Sequence, residues 1–167
     1  MDRLLKVLIL QGGHNEEHNV SLNTSKEVAK ALKKLKIHFK VITVKKDTFA
    51  KDIKKYSNKY ICFNALHGPF GEDGQIQKIL KLNKFKVTHS NQSSSINCFD
   101  KIKSKKIVNK YNILSPKHEV VKVIDLNEMY LKKIKLKFRQ FVLKPVSSGS
   151  SNGLGLVRSK KDLFSFF

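Results

Sequence analysis

Twice within the first 82 residues, a short apolar run breaks into a glycine-bearing polar turn, and apolar residues then recur at helical spacing. Residues 6–10 (Lys-Val-Leu-Ile-Leu) lead into Gln11-Gly12-Gly13-His14-Asn15-Glu16-Glu17-His18. Residues 60–65 (Tyr-Ile-Cys-Phe-Asn-Ala) lead into Leu66-His67-Gly68-Pro69-Phe70-Gly71-Glu72-Asp73-Gly74. Runs of this length read as buried strands, and the spacing that follows reads as one face of a helix. The first helix is expected to run through Leu35, with Val28, Ala31, Leu32 and Leu35 on one face. Thr24 and Glu27 fit a capping box, with an earlier start near Ser21 as the alternative. The second helix carries Ile76, Ile79, Leu80 and Leu82 behind Asp73 as its N-cap. Residues 39–44 read as a strand, 49–56 as a short amphipathic helix and 85–88 as a fourth short strand. Strands alternating with helices imply an α/β fold, a doubly wound parallel sheet, whose ligands bind beyond the carboxyl ends of the strands. The turn after residues 60–65 is therefore either a candidate ligand loop or a plain βα turn with a surface histidine. Glycine lets backbone approach a small polar ligand, and helix N-terminal amides attract its carboxylate.

The first turn does not carry the GxGxxG spacing of a dinucleotide site. No apolar run approaches the roughly 20 residues of a membrane helix. The first apolar stretch carries Lys6 and no small-residue cleavage site, so it reads as a strand and not as a signal peptide. Cys62 and Cys98 stand in apolar contexts without metal-ligand spacing, as buried reduced thiols in a cytoplasmic protein would. With 34 basic and 13 acidic residues the net charge is +21. The lysines are spread over every segment and no aromatic stacking array accompanies them. They read as solvated faces, with neither a membrane nor a specific nucleic acid as partner.

The second half divides from the first near residue 99, giving expected units of 1–99 and 100–167. Residues 90–95 read as a polar loop, and Phe99-Asp100-Lys101 opens a helix through Tyr111 that ends before Pro116. Residues 117–123 read as a strand, 126–134 as a helix, 141–145 as a strand ending on Lys144-Pro145, and 160–167 as a helix. Between Pro145 and the apolar residues 154–157 lies Val146-Ser147-Ser148-Gly149-Ser150-Ser151-Asn152-Gly153, a composition that suits a phosphate-wrapping loop and equally a plain linker.

Taken in order, these motifs resemble those of the D-alanine–D-alanine ligases of the ATP-grasp superfamily. The string from His67 to Gly74 resembles that family's signature, and Gly12 to Leu22 resembles its first motif. Residues 141–145 resemble the strand ending in Lys-Pro, and Gly149 to Gly153 the closing loop. The resemblance implies a Rossmann-like N-terminal substrate domain (1–99) and part of the central ATP-grasp α+β domain (100–167). It further implies ATP-dependent formation of D-alanyl-D-alanine through an acyl phosphate, for peptidoglycan precursors. It places Glu17 on the ammonium of the first D-alanine, with His18 in support, and His67 on the substrate carboxylate. Lys101 and Lys144 fall on nucleotide phosphate, and Ser150 and Ser151 in the closing loop, Ser150 also touching substrate. Asn19 and Ser148 stand where the family often has acids, and Asn152 where it has an aliphatic residue. ATP and Mg²⁺ are the implied cofactors, with the metal ligands expected beyond these residues, and a homodimer the implied full-length assembly. A polypeptide ending at Phe167 is expected to be inactive by itself. The residues alone leave Glu17 open to a plainer reading as an acid favouring a helix N-terminus. Two alternatives to the leading reading are another ATP-grasp carboxylate–amine ligase and a non-catalytic basic binding module.

Overall fold

The computed structural model describes residues 5–149, 153–159 and 162. The chain forms two compact units, Met1–Phe99 and Asp100–Phe167. In the first, strand β1 (Lys6–Gly12) is followed by helix α1 (His18–Lys34), β2 (His38–Val44) and α2 (Phe49–Asp52), which runs into a 3-10 turn at Ile53–Lys55. Then come β3 (Ile61–Asn64), α3 (Gln75–Leu82), the two-residue β4 (Lys86–Val87) and α4 (Gln92–Phe99). All strand pairings in this sheet are parallel, in the order β2-β1-β3-β4. β1 is central, pairing Leu8 with Lys40 on one side and with Cys62 on the other.

A central parallel strand covered on both faces must be apolar throughout, and Leu8, Ile9 and Leu10 are fully buried. Their alternation divides them between two cores. Leu8 and Leu10 join Phe49, Ile53, Cys62, Ile76 and Leu80, while Val7 and Ile9 pack under Val28, Ala29 and Leu32 of α1. The buried stripe of α1 is therefore rotated from the expected one: Ala31 and Leu35 are exposed, and Ser21 and Ser25 face inward. The helix starts at His18, so Thr24 and Glu27 lie inside it and cap nothing. The 90–95 loop expectation is also corrected. From Gln92 onward that segment is helical, with Asn91 Oδ1 accepting the Ser94 amide at 3.0 Å and Ile96 seated on Gly74. Serine's preference for turns gave way to an Asn cap and an apolar contact.

Strand order places a topological switch point in this sheet. From β1 the chain steps to one side for β2, then crosses to the other side for β3. The loops after β1 and β3 thus leave neighbouring carboxyl ends in opposite senses and open a crevice between them, the standard ligand position in open α/β sheets.

The second unit holds α5 (Lys101–Lys110), a 3-10 turn at Val123–Asp125, α6 (Glu128–Phe138), β5 (Phe141–Leu143) and β6 (Gly155–Val157). Asp100 caps α5 by accepting the Ile102 and Lys103 amides, and Asn127 caps α6 through Tyr130. β5 and β6 pair antiparallel, and Leu131 and Val157 are buried beneath Leu126 and Phe141. The strand expected over 117–123 is not formed. Residues 117–122 carry no strand pairing, and Val123 opens the 3-10 turn. Its Glu119 instead binds Tyr130 Oη and Lys137 Nζ of α6. The helix expected over 160–167 lies outside the described residues except at Asp162.

Candidate functional site

The crevice between the β1–α1 and β3–α3 loops is built from the third loop outward. His67 to Gly74 is a tight, self-bonded bend. Glu72 Oε2 accepts the Gly68 amide at 2.8 Å, Asp73 Oδ2 accepts the Phe70 amide at 3.0 Å, and Asp73 Oδ1 accepts the Gln75 amide at 3.1 Å. The N-cap of α3 is Gly74, at φ +94°, and not Asp73. The amides of Gly68, Phe70 and Gln75 are therefore occupied by the loop's own acids. Phe70 takes φ +72°, rare for a bulky side chain, and is held there by burial against Phe49.

Asn15 ties the first loop to the third. Its Nδ2 donates to the His67 carbonyl at 2.9 Å and to the Pro69 carbonyl at 3.2 Å, while its Oδ1 accepts the Glu17 amide at 2.9 Å. One side chain thus fixes the backbone of both candidate ligand residues. The Glu17 side chain is 5% exposed and makes no capping bond to α1. Its Oε2 lies against Gly68, where any Cβ would overlap it and would come within 3.0 Å of Asn15 Nδ2. Gly68 also sits at φ +69°, so both space and backbone require glycine. The structure accordingly brings the Glu17 carboxylate and the His67 residue to one crevice. Behind them, His18 Nδ1 donates to the Gly13 carbonyl and Ser21 Oγ accepts the Gly12 amide, each at 2.9 Å. The His67 ring meets Thr24, with Oγ1 and Nε2 3.0 Å apart.

In the second unit, Lys101 Nζ donates to the carbonyls of Ser148 at 2.6 Å and Val146 at 3.3 Å, at the stem of the glycine-serine loop. Partial burial, and then the neighbouring Lys144 ammonium, lower its pKa below the usual lysine value, with Asp100 opposing. Lys101, Lys105 and Lys144 line a small cleft of about 130 Å³. It shares Lys105, Lys144, His118, Glu119 and the apolar Val121, Val142 and Leu143 with a larger cleft of about 450 Å³. Convergent cations beside apolar walls suit an anionic ligand with a flat apolar part. Ser150 and Ser151 lie outside the described residues. Among the described residues, no three His, Cys, Asp or Glu side chains gather as metal ligands.

Sequence reasoning missed Asn15 as the inter-loop tie and Thr24 as the imidazole's partner. Asn15 carries a faint signal, because an Asn accepting the amide two residues on is an ordinary turn former. Thr24 carries none, since its partner is 43 residues away.

No protein-family model matches the chain. It is 44% identical over 157 residues to a D-alanine–D-alanine ligase of Pelagibacter ubique, an alignment covering 87% of this chain and 48% of that protein. Among solved structures it resembles the D-alanine–D-alanine ligase of Bacillus anthracis, with TM-score 0.79 and 32% identity over 97% of this chain and 52% of that one. The same enzyme complexed with ATP aligns with TM-score 0.76 and 34% identity, over 97% of this chain and 53% of that one. The chain spans about half the length of the curated relatives it matches. These similarities make the chain a homologue of the D-alanine–D-alanine ligases, corresponding to the N-terminal portion of proteins about twice its length.

Proposed function

We propose that the chain is the amino-acid-binding part, and a share of the nucleotide-binding part, of an ATP-dependent D-alanine–D-alanine ligase supplying peptidoglycan precursors. The observation that carries this reading is the Asn15 tie, which holds Glu17 and His67 at one switch-point crevice. Glu17 meets the ammonium of the first D-alanine. At about 4 Å and an effective dielectric near 20, that attraction is worth about 4 kcal/mol before desolvation, enough to orient a small zwitterion. His67 meets the carboxylate, a role that falls to its ring because the nearby amides are already engaged. Lys101 and Lys144 neutralise ATP phosphates, and Ser150 and Ser151 close over them.

In the reaction, the carboxylate of the first D-alanine attacks the γ-phosphorus, expelling ADP and leaving an acyl phosphate. The amine of a second D-alanine attacks the acyl carbon, inorganic phosphate departs and the amine proton is released. Positioning and charge neutralisation supply most of such catalysis. These residues supply the positioning of the first amino acid and two of the cations. The described acids form no magnesium cage, so no step is assigned to the metal here. A polypeptide of these 167 residues alone is therefore expected to release no phosphate above background with D-alanine, ATP and Mg²⁺. The test is a fusion of residues 1–167 to the remaining half of the Bacillus anthracis ligase. It should make D-alanyl-D-alanine, and Glu17→Gln should abolish it. A folded fusion that binds ATP yet forms no dipeptide contradicts the proposal.

A further inference from the structure

Thr24 is released from capping because α1 begins six residues before it. A helical threonine hydroxyl usually turns back to the carbonyl four residues earlier. Here it reaches across to the third loop, 3.0 Å from His67 Nε2. The backbone of the same histidine is held independently by Asn15. Ring and main chain of His67 are therefore both anchored to the first loop and its helix.

We infer that Thr24 is a positioning residue for His67: its hydroxyl donates to Nε2, keeps the neutral ring's proton on Nδ1 and turns that N–H toward the amino acid's carboxylate. The inference rests on the amino-acid reading of the crevice given above. A neutral imidazole has one donor and one acceptor nitrogen, and the partner of one fixes the state of the other. A carboxylate only accepts, so the nitrogen facing it must carry the proton. With Nε2 engaged by Thr24, that nitrogen is Nδ1. A hydroxyl can donate to Nε2. The reverse arrangement, with Nε2–H donating to the threonine, would aim the Nδ1 lone pair at the carboxylate and repel it.

Long-range ¹H–¹⁵N spectra of the histidine rings in the full 167-residue chain read the tautomer directly, with His67→Asn identifying the signal. They are recorded without ligand near about pH 8, where an ordinary imidazole is neutral. The expected result is an Nδ1–H ring in wild type and Thr24→Ser, moving toward Nε2–H in Thr24→Val, which keeps the shape and loses the hydroxyl. The backbone spectrum of each variant reports whether it is folded, and Thr24→Ala replaces Thr24→Val should valine perturb the helix. D-alanine titration is then expected to be about five- to tenfold weaker in Thr24→Val, the worth of about one hydrogen bond, and within about twofold of wild type in Thr24→Ser. An Nε2–H ring in the wild type overturns the inference. So does a Thr24→Val protein with unchanged tautomer or unchanged affinity. If D-alanine perturbs no signal in the wild type, the amino-acid reading fails by itself, and ring protonation alone then decides the role of Thr24.

Discussion

Replacing Gly68 by alanine should damage both the crevice and the fold. Gly68 sits at φ +69°, and placing an L side chain in that region costs roughly 1–2 kcal/mol. The added methyl would also overlap Glu17 Oε2 and stand 3.0 Å from Asn15 Nδ2. The carboxylate must swing away, and the Asn15 bonds to His67 and Pro69 must lengthen. Losing one or two such bonds adds about 1–2 kcal/mol. A total of about 2–4 kcal/mol lowers the melting temperature of a domain of this size by roughly 8–30 °C. The displaced carboxylate should weaken D-alanine binding by at least about tenfold. Gly74→Ala is the control: at φ +94°, with Ile96 Cγ1 2.5 Å from the new methyl, it carries a comparable strain but touches no ligand residue. Thermal melts and D-alanine titrations of both variants separate the two effects. If Gly68→Ala binds D-alanine like wild type while folded, or if Gly74→Ala loses binding equally, the placement of Glu17 against Gly68 is wrong.

Further outcomes follow from the same geometry. Asn15→Asp keeps the acceptor for the Glu17 amide and loses both donors to the third loop, so amide exchange at Gly68 should accelerate about tenfold while α1 stays intact. The lowered Lys101 pKa means its charge, and with it phosphate binding, is lost in the alkaline range before an ordinary lysine would titrate. Because the folded pKa is depressed, burying this ammonium opposes folding while it is charged, and the penalty is relieved as pH rises through that depressed value. Removing the adjacent cation with Lys144→Met should raise the Lys101 pKa, read by ¹³Cε shifts across a pH titration. Burial pushes the Cys62 thiol up to about 12, whereas Cys98 is exposed, which corrects the expectation that both thiols are buried. A thiol reagent near about pH 8 should therefore modify Cys98 quickly and Cys62 only after denaturation, because the thiolate is the reactive form.

The periodicity of residues 6–35 and 60–82 carried the sheet, because a central parallel strand has to be apolar on both faces and little else produces such runs. The rotation of α1 was not legible. Val28 and Leu32 share a face under either start point, and only burial of the small polar Ser21 and Ser25 distinguishes them. Residues 90–95 misled because serine favours turns locally while Ile96, packing on Gly74, decides the segment from a distance. Residues 117–122 misled in the opposite way: the valines at 120, 121 and 123 suit a strand, and Glu119 bonds to α6 instead. At the crevice, the residue types were readable from the motifs. Asn15 bridging 52 residues to His67 was not, since such ties have no signature in one dimension.

The central claim is that the first and third loops together hold one amino acid. Its most direct measurement is a D-alanine titration of ¹⁵N-labelled chain, wild type against Glu17→Gln. The account predicts saturable shifts confined to the amides of residues 13–18 and 67–74, and at least tenfold weaker binding in the variant. Shifts scattered elsewhere, or equal binding by both proteins, would contradict it.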